Sequence, residues 1–143
     1  MAKVRRNFTL TPQTVDFLAG TENASEYLDQ IVELRAARCI QVVGLYSTAP
    51  ISWETFMFAV DAVASWYGLL STDAMVPHIL AHTSIPRGVP VREMQALIKI
   101  AEQGDVRAGL VELALEARAG NRAFVERHAE RALVHKKKSR NDS

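Results

Sequence analysis

The sequence predicts a mainly α-helical protein in which one short strand and two helices precede a helical bundle. Three observations lead to this prediction. Apolar residues alternate near the start, helix-capping residues precede two helical patterns, and apolar residues recur at three-and-four spacing after residue 49. Hydrophobic residues make up 48% of the 143 positions, so the chain can bury a core.

Residues 3–10 read as a basic strand with a period of two. One side carries Val4, Phe8 and Leu10, with Arg6 as the exception, and the other side carries Arg5, Asn7 and Thr9. A lone strand is unstable and no second strand candidate lies nearby, so we expect the same strand of another copy as its partner. A two-stranded ribbon fits the DNA major groove, where Arg, Asn and Thr side chains read base edges.

Two capped helices follow this strand. Thr11 is the predicted N-cap of the first helix, Pro12 takes its first position, and Gly20 ends it. Asn23 is the predicted cap of the second helix, with Glu26 three residues later. The second helix then carries a broad apolar face, wide enough for an intersubunit core: Tyr27, Leu28, Ile31, Val32 and Leu34.

This order of strand, short helix, tight turn and capped longer helix resembles the ribbon-helix-helix (Arc- and MetJ-like) family of DNA-binding proteins over roughly the first third of the chain. The resemblance implies a homodimer on double-stranded DNA, with base contacts from Arg5, Asn7 and Thr9. It also implies phosphate contacts from the backbone N–H groups around Asn23, Ala24 and Ser25, at the start of a helix. Lys3 and Arg6 are further phosphate-contact candidates.

Charge limits the class of DNA-binding protein. Residues 1–48 carry five basic and five acidic residues, and the whole chain has a net charge of +1. A packaging protein that coats nucleic acid would be far more basic. The cluster of Lys3, Arg5 and Arg6 therefore favours a specific binder with weak general affinity.

Residues 39–48 are expected to prolong the second helix, with a strand as the alternative. Ser52 is the predicted cap of a helix over residues 52–68 that is apolar almost all round and therefore buried. Residues 51–70 approach the length of a membrane span. Asp61 opposes that interpretation, because a charge at the bilayer centre costs about 2.5–3.5 kcal/mol.

The remaining segments also carry helical signals. Pro77 divides residues 72–83 into two turns or starts a helix, and a helix over 91–103 is expected to end at Gly104. Asp105 is the predicted cap of the next helix, which Gly120 ends, and Asn121 caps the last. Residues 135–143 form a basic tail that we expect to be disordered, with loose phosphate contact as the alternative.

Catalytic and metal-binding patterns are sparse. His78 and His82 are spaced four apart, as zinc ligands often are, with Asp73 as a conceivable third ligand, but core or surface histidines explain the pair more simply. Cys39 is expected to be a small core residue. We therefore predict no enzyme activity, no metal and no cofactor. The absence of an apolar leader predicts a cytoplasmic protein.

The sequence thus divides into a ribbon-helix-helix DNA-binding and dimerisation domain at 1–48, a helical domain of unassigned role at 49–134, and the basic tail. The expected role is transcriptional repression, or plasmid partition or transfer. The helical domain could join dimers into a higher oligomer or bind a protein partner. The alternative is a helical interaction or scaffold module, including an antitoxin that holds a toxin, whose ribbon mainly dimerises. A small-ligand sensor ranks third.

Overall fold

The computed structural model describes residues 8–67 and 72–141, with side chains described through Val134. Helices dominate this part of the chain, which confirms the mainly α-helical class. They are α1 (Pro12–Ala19), α2 (Ala24–Tyr46), α3 (Trp53–Tyr67), α4 (Val76–His82), α5 (Val91–Ile100), α6 (Gly104–Glu116) and α7 (Arg122–Asn141). A 3₁₀ turn, Asp73–Met75, precedes α4, and a π-helical segment, Ala117–Asn121, joins α6 to α7.

The predicted ribbon is not supported by this single chain. Residues 8–10 belong to no regular element, and residues 3–7 lie outside the described part. No β-strand occurs among residues 8–67 and 72–141. The physical reason is that a strand is held by hydrogen bonds to a neighbouring strand, and the predicted neighbour belongs to a second copy.

The chain divides into two compact units, residues 1–36 and 37–143. The division falls earlier than the sequence-based boundary at residue 48. Helix α2 is continuous to Tyr46, as predicted, but its last turns belong to the second unit. There Cys39, Val42, Val43 and Tyr46 are buried in a hydrophobic core.

Helix α3 is the central element of the second unit and packs against α4, α5, α6 and α7. Its buried residues occupy most of its circumference: Thr55, Phe56, Met57, Ala59, Val60, Ala62 and Val63. This confirms the prediction of a central packing helix. Among the helices described, none is long and apolar enough to cross a membrane.

The start of α3 is capped from two directions. Ser52 Oγ accepts from Thr55 N at 3.4 Å, as the sequence predicts. Glu93 on α5 adds a cap that the sequence does not indicate. Its carboxylate accepts from the backbone N–H of Ser52 and, at 3.1 Å, from the hydroxyl of the fully buried Thr55. A carboxylate is favourable at this helix end, because the helix dipole is positive there.

Two predicted helix boundaries are wrong. Helix α5 ends at Ile100 rather than Gly104, because the next N–H groups, of Glu102 and Gln103, donate to carbonyls three residues back instead of four. Gly104 instead begins α6, where Gln103 and not Asp105 takes the cap position. The predicted break at Gly120 is confirmed, since its φ of 108° lies in the left-handed region that favours glycine.

Asn121 also differs from its predicted role. The Asn121 amide donates to the Glu116 carboxylate instead of capping α7. Helix α7 continues through Asn141, into the segment that the sequence assigns to the basic tail. Lysine and arginine have high helix propensity, and their positive charge is favourable near a helix C-terminus.

Helices α2 and α6 approach closely at Gly109. A Cβ atom at this position would lie 2.8 Å from Cγ1 of Val42, a stiff β-branched side chain. The buried Tyr46 hydroxyl donates to Val106 O at 2.7 Å beside the same contact. Burial, followed by the negative charge of Asp105, raises the pKa of Tyr46, so it remains a neutral donor.

We expect Gly109→Ala to lower the free energy of unfolding by about 1–3 kcal/mol, because α2 and α6 must separate to admit the methyl group. Gly44→Ala is the matched control. Gly44 is also helical, but its added Cβ would meet nothing within 4 Å, so a gain of about 0.5–1 kcal/mol is expected. Urea denaturation of both variants measures the difference. Equal effects would contradict the close approach.

Candidate nucleic-acid interface

Two hydrogen-bonded caps define the helices of the first unit. Thr11 Oγ1 accepts from Thr14 N at 3.3 Å, and Pro12 occupies the first turn of α1, as predicted. Gly20 is the C-cap, with its N–H directed to Phe17 O. At the next helix, Asn23 Oδ1 accepts from Glu26 N at 3.0 Å. The predicted helix boundaries on both sides of the tight turn are therefore confirmed.

The residues predicted to contact bases lie mostly outside the described part of the chain. Arg5 and Asn7 belong to residues 1–7, as do the phosphate candidates Lys3 and Arg6. Thr9 is described, and its side chain is exposed two residues before the Thr11 cap. It is thus accessible to a ligand.

The predicted phosphate site lies at the start of α2. The Asn23 side chain already accepts the N–H of Glu26. The N–H groups of Ala24 and Ser25 are at the first two helical positions, where α-helix geometry provides no intrahelical acceptor. Ser25 is exposed, but so are Glu22 and Glu26, whose negative charges oppose an anion here. This site is therefore weaker electrostatically than a helix start without acids.

The most unusual property of the first unit is its lack of a core. From residue 8 to residue 36, no side chain is buried. Phe17 and Tyr27 hold α1 against α2, with ring centroids 5.9 Å apart. The large apolar side chains left exposed are Phe8, Leu10, Val15, Phe17, Leu28, Ile31, Val32 and Leu34. We call this set the uncovered apolar surface.

Part of the uncovered apolar surface follows one stripe of α2. Leu28, Ile31 and Val32 have the three-and-four spacing of a single helix face, and Val32 is 65% exposed. Monomeric proteins rarely expose contiguous apolar patches of this kind, and such patches mark interaction sites. The broad face predicted from the sequence is present, and no described residue of the first unit covers it.

The histidine pair forms no complete metal site within the described residues. The rings of His78 and His82 are adjacent, with centroids 4.2 Å apart, and both side chains are exposed. No group of three metal-ligating side chains occurs in the part of the chain that the structure describes, and Asp73 adds no third ligand.

Sequence reasoning missed two exposed cations on α7, Arg127 and Arg131, because it assigned the basic character of this region to the residues after 134. Their spacing of four, offset by two from the apolar residues Val125 and Ala129, was the available signal.

No protein-family model, curated protein or solved structure matches this chain.

The cap at Asn23 can be tested by substitution. Asn23→Ala removes the acceptor for Glu26 N, and we expect a loss of about 1 kcal/mol of local stability. Asn23→Asp keeps an acceptor and is the control. Amide hydrogen exchange at Glu26 measures both. If the aspartate variant lost as much protection as the alanine variant, the hydrogen bond would not be the stabilising contact.

Proposed function

We propose that this protein is a sequence-specific DNA-binding homodimer that acts in transcriptional repression or in plasmid partition or transfer. The observation that carries the proposal is the first unit itself. It has two well-capped helices and no buried side chain from residue 8 to residue 36. Such a unit requires a partner surface, and the basic residues that precede it suit DNA.

A second copy is the partner that fits best. Fully burying a large apolar side chain contributes about 1.5–3 kcal/mol, so covering even part of the uncovered apolar surface would offset the entropic cost of association. An isologous interface lets the same stripe of Leu28, Ile31 and Val32 cover its own counterpart. Dimerisation would also supply the neighbour that the strand over residues 3–10 needs.

The dimer would then read DNA with its paired strands. Arg5, Asn7 and Thr9 would face the base edges of the major groove. Lys3, Arg6 and the N–H groups at the start of α2 would hold phosphates and fix the register. Because Glu22 and Glu26 flank the start of α2, the charged strand residues would provide most of the attraction to DNA.

A protein-interaction or scaffold module is the alternative. The uncovered apolar surface would suit a different protein, such as a toxin, equally well on hydrophobicity alone. The two functions differ in what they require of Arg5 and Asn7. A scaffold would bind its partner without these two side chains, whereas base readout would be lost without them.

Association through α2 predicts a large effect at Val32. We expect Val32→Glu to convert the dimer to monomer, because it would place a charge in the interface. Val91→Glu is the matched control, since Val91 is also an exposed valine, at 58%, in the second unit. Sedimentation velocity over a concentration series measures the oligomeric state. If the two variants had the same oligomeric state, α2 would not form the interface.

Base readout predicts a recoverable binding site. Selection from a random duplex library at physiological salt should give a motif with two-fold or repeated half-sites. Arg5→Ala and Asn7→Ala should each lose about 1–3 kcal/mol of discrimination while the dimer stays folded. Sizing and thermal melting provide the folding control. A folded wild-type dimer that selects no motif would overturn direct readout.

A further inference from the structure

Helix α7 concentrates the positive charge of the protein. Between Arg122 and Asn141 it carries seven lysine and arginine residues against two glutamates, a balance of +5. The whole chain has a formal charge of +1, so the remaining residues together carry −4. The near-neutral total therefore conceals one strongly basic helix of about 30 Å, at 1.5 Å per residue.

The packing of α7 leaves its cations on the outside. Val125, Ala129 and Leu133, spaced four apart, are buried and fix the inner face. Arg127 and Arg131 lie two positions after the first two of these residues, about 200° round the helix. Both arginine side chains are exposed, as this geometry requires.

Arg127 and Arg131 differ from Arg38 and Arg122 in their ion pairing. Arg38 pairs with Glu112 at 2.9 Å, and Arg122 pairs with Asp61 at 2.7 Å and with Glu126. Among residues 8–67 and 72–134, no carboxylate forms an ion pair with Arg127 or Arg131. Their charge is left for an external anion.

The positive potential along this helix acts on a neighbouring group. His128 lies between the two arginines, and its ring contacts Phe124 with centroids 4.4 Å apart. Burial lowers the pKa of His128, and the charges of Arg131 and Arg127 lower it further. The direction of this pKa shift is consistent with the positive charge that surrounds His128 on α7.

We infer that the outer face of α7 binds the DNA phosphate backbone independently of base sequence. This contact would be additional to the base readout by the first unit. The inference rests on the proposed function for its choice of DNA as the polyanion. Residues 136–140 add four more basic residues along the same helix, whose backbone is helical through Asn141. Phosphate neutralisation releases counterions, which provides affinity without specificity.

An anionic membrane is a poorer partner for this face. Helices that lie on membranes combine a basic face with an apolar face that inserts among the lipids. The apolar side of α7 is committed to the core through Val125, Ala129 and Leu133. Its described part exposes no large hydrophobic side chain. A basic helix face that has no apolar surface to insert into lipid is better suited to a phosphate backbone than to a membrane.

The test compares Arg127→Gln/Arg131→Gln with a control of equal charge, Arg87→Gln/Arg92→Gln. All four arginines are exposed, so both double variants should fold, which thermal melting verifies. Binding is measured by fluorescence anisotropy on a random-sequence duplex and on the selected motif, at increasing KCl. We expect the α7 variant to bind both duplexes more weakly than the wild-type protein, by the same factor. The log–log salt dependence should flatten by about 0.9 for each phosphate that the variant no longer neutralises.

The outcomes separate this inference from the proposed function. If the control weakens binding as much as the α7 variant, only net charge matters and the inference is overturned. If wild-type protein selects no motif but the α7 variant alone loses general DNA binding, the α7 contact stands and base readout fails. Binding to phosphatidylserine vesicles that needs Arg127 and Arg131, with no effect on DNA, would assign the face to membranes and overturn the inference.

Discussion

The packing of α3 against the helices around it is the interaction on which the second unit depends. Phe56, Val60 and Val63 are fully buried, and such side chains are worth several kcal/mol each when truncated. The polar contacts of α3 have smaller roles. Glu93 caps its first turn, and Asp61 accepts a two-pronged hydrogen bond from Arg122 on α7. The Asp61–Arg122 pair is 41–46% exposed, so it orients α7 more than it stabilises the fold.

By contrast, none of the described side chains of the first unit is buried. The hydrogen bonds that cap its helices, at Thr11 and Asn23, join residues three positions apart, and a ring contact joins Phe17 to Tyr27. Local interactions of this kind contribute about 1 kcal/mol each, which cannot hold a structure against chain entropy. In the proposed dimer, folding and association of this unit would be one process, whose midpoint depends on protein concentration.

Sequence reasoning succeeded where the determining chemistry is local. The caps at Thr11, Asn23 and Ser52, and the apolar character of α3, follow from residues within one or two turns of each other. It failed at contacts between distant residues. Nothing near Ser52 indicates that Glu93, 41 positions later, accepts its N–H. Nothing near Gly109 indicates that it contacts Val42.

The candidate site shows the same limit. The apolar residues of α2 are predictable from their spacing, but their exposure could be learned only from the fold, because spacing is identical for a covered and an uncovered face. Likewise, the charges of Arg127 and Arg131 are visible in the sequence. Their orientation away from the core follows from the burial of Val125 and Ala129.

Because Cys39 is buried, its reactivity can be used to measure how often the core of the second unit opens. It is the single cysteine of the chain and is 3% exposed in the core of the second unit. A thiol reagent can reach it only when that core opens, so the labelling rate measures the free energy of opening without any engineered probe. Because the first unit contains no thiol, labelling would report on the opening of the second unit.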